Sequence, residues 1–183
     1  MPLGPPDERA FRKTMGRFPT GVAVVTTQAG VPRAVTASAF AAVSAQPPLV
    51  LVCVNTGALS LDPPCHFAVS VLARHQQDLA VRFRERGHAV SSQAFEHVAW
   101  WTARVSGAPV LSGTVAWFDC AVHDVLSAGE RTVVIGRVLD LGHIGAEPLV
   151  RLNGVHRGLD HPTSPPLLPS ADHVSAGSLV GHN

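Results

Sequence analysis

Two adjacent prolines, Pro47 and Pro48, interrupt the longest uncharged stretch of this 183-residue chain, Ala34 to Leu61. They constrain the fold more than any other feature. Proline has no backbone donor and holds its predecessor extended, so neither a helix nor a central strand runs through the pair. The segments on either side both read as strands. Leu49 to Val54 is an unbroken apolar run that closes at Asn55, the pattern of a strand covered on both faces. Before the prolines, Thr36-Ala37-Ser38-Ala39-Phe40 carries two hydroxyls two residues apart. An extended backbone sends side chains so spaced to one face. Ala37, Ala39, Ala41 and Ala42 leave room beside those hydroxyls. Hydroxyls, small side chains and free backbone N–H groups suit a flat ligand with a phosphate tail. A buried serine-rich hairpin has the same sequence pattern, so this stretch alone leaves both readings open.

The remaining segments also favour strands. Asp7 to Arg17 predicts a short helix, with Phe11, Met15 and Phe18 on one side, Asp7 as cap and Pro19 beyond its end. Thr20 to Thr27 is rich in β-branched residues, and Ala29-Gly30 turns the chain toward Arg33. Thr56 to Pro64 reads as a polar loop or single turn carrying Ser60. Phe67 to Leu72 follows as a strand, His75 to Arg86 as a helix and Gly87 to Ser92 as a loop. Phe95 to Trp101 reads as a short strand before a turn at Ser106 to Pro109. Ser112 to Leu126 and Arg131 to His143 predict a long hairpin turning at Ser127 to Glu130, and Leu149 to Val155 a last short strand. Six or seven strands with few helices describe a mainly β protein, an antiparallel barrel closed or nearly closed. Closure removes the edges that such apolar strands would otherwise expose. Residues 7–159 are expected to form this domain, with 1–6 as an N-terminal tail and the proline-rich 160–183 as a disordered C-terminal tail.

Composition removes several function classes. A formal net charge of +1 offers no basic face for nucleic acid or an anionic membrane. Lys13 is the only lysine, which excludes lysine Schiff-base chemistry elsewhere and a P-loop. Cys53, Cys65 and Cys120 are odd in number and widely spaced, as expected for reduced thiols in the cytoplasm. The N-terminus lacks the basic and apolar regions of a signal peptide, and the uncharged stretch is too polar and too broken to span a membrane. The ten histidines include no zinc-like helical pairing, so no metal is expected. The sequence contains neither G-x-S-x-G nor G-x-G-x-x-G, so a hydrolase elbow and a Rossmann cradle are both absent. A phosphate would therefore be held by hydroxyls and loop amides, with Ser60 as one candidate.

Five segments carry a family resemblance: FRKTMGRFPTGVAVVTT, RAVTASAFAAVSAQPPLVLVCVN, FAVSVLARHQQDLAVRF, GAPVLSGTVAWFDCAV and GERTVVIGRVLDL. In this order, across Phe11 to Arg157, they resemble the flavin reductase-like family of FMN-binding split barrels. These are the reductase components of two-component flavin monooxygenases. The resemblance implies a homodimer that binds FMN or FAD, reduces it with NADH or NADPH and releases it to a partner monooxygenase. It places the flavin's phosphate and ribityl side at Thr36, Ala37 and Ser38, with Asn55, Thr56 and Ser60 beyond them. Ser44 falls near the isoalloxazine ring. Arg131 and His156 are the candidates on the nicotinamide side, and no catalytic residue is assigned. Three positions depart from the family. Glu130-Arg131 stands where Asp-His is frequent, Ser70 replaces an asparagine, and no aromatic lies near Leu152. The alternatives are a split barrel that retains its flavin and acts on an organic substrate, or a non-catalytic flavin- or haem-binding barrel.

Overall fold

The computed structural model describes residue 4, residues 7–84 and residues 92–159. The expected 160–183 tail, most of the 1–6 tail and nearly all of the Gly87 to Ser92 loop lie outside the described residues. Helix α1 (Glu8–Met15) starts where the Asp7 carboxylate accepts the Ala10 N–H at 2.6 Å. No residue of α1 is buried, and Phe11 and Met15 stay more than half exposed on its apolar side. The chain then runs through β1 (Thr20–Gly21), β2 (Ala23–Ala29), β3 (Val31–Ala37), β4 (Phe40–Ala45), β5 (Pro48–Asn55) and β6 (His66–Val71). A 3₁₀ turn (Arg74–Gln76) leads into α2 (Gln77–Arg82). Strands β7 (Trp100–Thr102) and β8 (Pro109–Leu111), the long β9 (Ala116–Ala128) and β10 (Arg131–His143), and the short β11 (Val150–Leu152) and β12 (Val155–Arg157) complete the described chain.

Seven strands form one antiparallel sheet in the order β3-β2-β6-β9-β10-β5-β4. Its edge strands, β3 and β4, are consecutive in sequence and separated only by Ser38 and Ala39. Three peptide links reach at most about 11 Å, so the two edges must come together there and the sheet must curl into a barrel. Two backbone bonds secure the seam. Thr36 N–H donates to the Phe83 carbonyl at 2.9 Å, and Cys53 N–H donates to the Ala39 carbonyl at 3.0 Å. The small-residue segment is therefore the place where the barrel closes.

Strand β2 shows how the residue alternation builds two cores. Ala23 and Val25 enter the barrel interior with Val52, Phe67, Val69 and Val134. Val22 and Val24 point outward and pack under α2 with Leu72, Phe83, Phe95 and Leu149. An uninterrupted apolar run here means a strand buried on both faces. In β5, Val50, Val52 and Val54 are buried while Leu49, Leu51 and Cys53 are only half-buried. The expectation of cover on both faces of β5 is thus met on one side only.

Several boundaries differ from expectation for local reasons. The prolines do not merely stop a strand: Gln46 and Pro47 form the tight β4–β5 connection, with a cis Gln46–Pro47 bond, and β5 starts at Pro48 itself. Strand β9 begins at Ala116 because Gly113 has φ +73° and the Thr114 hydroxyl donates back to the Leu111 carbonyl, forming a turn. The aromatic stretch from Phe95 ends one 3₁₀ turn and opens β7, which pairs with β8 as a separate ribbon. Leu149 to Val155 is a hairpin, not one strand. Asn153 and Gly154 both have positive φ, +52° and +78°, as a two-residue type I′ turn requires. That hairpin joins β1 in a second small sheet. Ser70, at a position where the family carries asparagine, is buried, and its hydroxyl accepts the Leu111 N–H at 3.0 Å, tying β6 to β8.

Candidate functional site

Two clefts meet over the barrel seam. The smaller, about 530 Å³, is lined by Thr36, Ala37, Ser38 and Ala39 from the seam, and by Cys53, Val54 and Asn55 from β5. Arg84, Arg131 and Arg151 bring positive charge to it around His156, and Phe11 and Met15 of α1 form an apolar side. The larger, about 1110 Å³, lies between α1, the seam and the β11–β12 turn. Its volume is just above the usual range for small-molecule sites, ~300–1,000 Å³. Ser38, Ala39, Met15, Arg131 and Arg151 line both. Leu51 contributes to the larger cleft and Cys53 to the smaller. The half-buried face of β5 is therefore the floor of the site, which explains why its apolar run has no protein cover there.

Strand register sets the charged groups. Arg131 opens β10 directly opposite Asn55 on β5. Arg151 sits in β11 between Thr20 of β1 and His156 of β12. Burial, then Arg151, then Arg84 lower the His156 pKa below 6.5, so the neutral imidazole is favoured. Among the described residues no carboxylate lines either cleft. Arg84, Arg151, Lys13 and Arg17 make no ion pair among those residues, and Arg131 meets Glu130 only at 3.8 Å across an exposed surface. Such a pair is largely screened by water. The whole site is a cationic pocket with small and apolar walls, which fits a flat ring system carrying phosphate.

The structure gathers six of the nine expected residues, Thr36, Ala37, Ser38, Asn55, Arg131 and His156, around the smaller cleft. It gives the two seam hydroxyls different surroundings. Strand β3 ends at Ala37 and the chain bends at Ser38, so Thr36 and Ser38 do not share one strand face as expected. Thr36 Oγ1 donates to the Ala80 carbonyl at 3.0 Å, one of the end carbonyls that α2 cannot satisfy within itself. Ser38, half-buried, lines both clefts. Three other residues lie outside both clefts. Thr56 N–H donates to the Glu130 carbonyl, and its hydroxyl lies 3.3 Å from that of Thr132. Ser60 is exposed, with its carbonyl accepting the Cys65 thiol. Ser44 pairs with Leu49 beside a bulge in β4. Arg84 and Arg151, which are not among the expected residues, also line the smaller cleft. The Asn153-Gly154 pair, a strong hairpin signal, marks the turn that sets Arg151 opposite His156.

The antiparallel barrel closes at a small-residue seam beneath a cationic double cleft, with room and countercharge suited to phosphorylated ring compounds. Residues 15–160 match the model of the flavin reductase like domain, and the chain belongs to that family. It is 39% identical over 140 residues to an NADH-dependent FAD reductase of Streptomyces globisporus, covering 75% of this chain and 77% of the relative. It is 36% identical over 159 residues to the flavin-dependent monooxygenase reductase subunit HsaB of Rhodococcus jostii, covering 84% and 79%. The solved structure of the Streptomyces globisporus NADH:FAD oxidoreductase SgcE6 with NAD and FAD fragments superposes with a TM-score of 0.80. That match is 35% identical and covers 90% of this chain and all of the other.

Proposed function

We propose that this chain is a flavin reductase that takes hydride from NADH or NADPH, passes it to FMN or FAD, and releases the reduced flavin to a partner monooxygenase. The carrying observation is the double cleft: two adjoining spaces share Ser38, Ala39, Arg131 and Arg151, with cations around them and no carboxylate. A reductase must hold two phosphorylated ring compounds side by side, and this arrangement supplies room and countercharge for both. The names of the Streptomyces and Rhodococcus relatives support the same chemistry.

On this reading the smaller cleft takes the flavin. Ser38 and Asn55 hydrogen-bond its ribityl and phosphate side, Ala37 and Ala39 leave space for the ring, and Arg84 and Arg151 neutralise phosphate. Bound flavin supplies the redox-active ring that accepts hydride. Arg131, at the junction of the clefts, and neutral His156 orient the nicotinamide nucleotide, while Phe11 and Met15 exclude water from one side. Ser44, Thr56 and Ser60 have no part in this assignment. Two copies would cover the outward Leu139 and Leu141 of β10, which are 43% and 54% exposed, so the working unit is a homodimer. Among the described residues no helix is long and apolar enough to cross a membrane. With its free cysteines, the chain is assigned to the cytoplasm.

Nucleotide oxidation under anaerobic conditions, with flavin in excess over protein, tests the proposal. Oxidation must follow flavin concentration with saturation, at an affinity on the order of micromolar, or ~8 kcal/mol, weak enough for release. Protein that keeps its flavin through dialysis and ignores added flavin would instead act on a substrate of its own.

A further inference from the structure

The larger cleft carries more positive charge than NADH can use. NADH presents one diphosphate and a free ribose 2′-hydroxyl on its adenosine half; dinucleotide sites commonly meet that hydroxyl with a carboxylate, and use arginine where NADPH carries a 2′-phosphate. The contrast is electrostatic and not tied to one fold: a hydroxyl donates to a carboxylate, and a phosphate is repelled by one. Among the described residues, five cations and no carboxylate line this cleft. Arg131 and Arg151 also face the smaller cleft and are available to the flavin side and the nucleotide diphosphate. The other three, Arg12, Lys13 and Arg17, lie on α1 and just beyond it. Glu8 holds Arg12 at 2.7 Å. Lys13 and Arg17 line the cleft and have no ion-pair partner among the described residues. Basic residues at a helix C-terminus also complement the helix dipole. That accounts for their place along the chain, but not for an opposing wall, from Ser38 to Leu51, that holds no acid to answer them.

We propose that this cleft selects NADPH over NADH, with Lys13 and Arg17 receiving the 2′-phosphate; the inference rests on the reading of the chain as a flavin reductase. The 2′-phosphate brings close to two negative charges, and two mobile cations can meet it with charge-assisted hydrogen bonds. Both side chains are exposed, so water and salt reduce the gain, and the preference weakens as ionic strength rises.

The test uses the full chain with saturating FMN or FAD. The expected kcat/KM for NADPH exceeds that for NADH about tenfold, an effect in the range of one or two charged hydrogen bonds. The double variant Lys13→Ala/Arg17→Ala should lower the NADPH-to-NADH ratio by a similar factor, about tenfold, mainly through KM. A calorimetric titration of the flavin-free protein gives a second readout. Adenosine 2′,5′-bisphosphate should bind about tenfold more tightly than adenosine 5′-monophosphate, and the double variant should remove the difference. An NADH preference in the parent, or a ratio unchanged in a variant with the parent's melting temperature, overturns the inference. If neither nucleotide is oxidised, the flavin reductase reading falls instead. In that case the two adenosine nucleotides still decide the site, and equal affinity rejects a 2′-phosphate pocket.

Discussion

The two walls of the double cleft are held by very different amounts of structure. One wall, the seam with β5, is continuous with the barrel core. Ala37 and Val54 are almost fully buried, and Thr36 and Cys53 are tied by backbone bonds to neighbouring elements. The other wall, α1, buries no residue and leaves Phe11 and Met15 at 57% and 51% exposure, with Phe18 just beyond it at 65%. Yet α1 and the residues just beyond it carry three of the cleft's cations, Arg12, Lys13 and Arg17, while the barrel wall carries the small and hydroxylated residues together with Arg131. Groups that need fixed geometry stand on the rigid wall. The exposed wall adds groups that act only by charge, and Coulomb attraction tolerates displacement better than a hydrogen bond does.

The largest effect should come from overfilling the rigid wall's foundation. A Cβ added to Gly136 of β10 would lie 2.4 Å from Phe67 Cζ and 3.3 Å from Cys120 Cβ, and both neighbours are fully buried. Phe67 has nowhere to move. Gly136→Ala should cost about 2–3 kcal/mol by overpacking, read as a lower midpoint in denaturant. An unchanged midpoint would show that the barrel yields as easily as α1, and the contrast between the walls would fail.

The seam itself offers a sharper division. Thr36→Val removes the hydroxyl that satisfies the Ala80 carbonyl, so stability should fall by ~1 kcal/mol with flavin affinity little changed. Ser38→Ala should do the opposite, weakening flavin about tenfold while the melt stays in place. Melts beside flavin titrations of both variants separate these outcomes. If Thr36→Val loses affinity and Ser38→Ala loses stability, the roles are exchanged and the binding wall must be redrawn around β3.

The smallest effect is one of pH. In the folded chain His156 resists protonation because of burial, Arg151 and Arg84, whereas an unfolded histidine titrates at its usual value near 6.5. The unfolded state therefore binds more protons below that value, and stability should decline as the pH falls from about 7 through the lowered folded pKa. His156→Gln should flatten that part of the stability profile. A bound phosphate between the arginines should flatten it as well, by removing the charge that opposes His156. Profiles of parent and variant that coincide from pH 5 to 7 would show that His156 does not feel the cationic cluster.

Much of the architecture could be read from local pattern. Alternating and continuous apolar runs identified β2, β5, β6 and the β9–β10 hairpin, because strand periodicity and turn chemistry act over a few residues. The small-residue segment from Thr36 to Ala39 and Asn55 were legible for the same reason, and the structure places them along the smaller cleft. The β11–β12 hairpin was also encoded locally, in Asn153-Gly154, but the short apolar run around it hid the turn.

Other properties depend on where distant strands meet. Whether Thr36 serves a ligand or a helix end is decided by α2, whose Ala80 carbonyl comes within hydrogen-bonding distance only after the chain has folded back over β3. That the outer face of β5 is a cleft floor, not a second buried face, depends on what packs nearby, and a run of apolar residues carries no information about that. The convergence of Arg84, Arg131 and Arg151 follows from α2 packing, β10 register and a hairpin turn. Periodicity assigns faces within a strand, while electrostatic sites arise from sums over residues far apart in sequence. The sequence alone therefore determined the barrel strands and a small-residue, hydroxyl-bearing segment; tertiary structure decided which charges face that segment and which of its hydroxyls is engaged by α2.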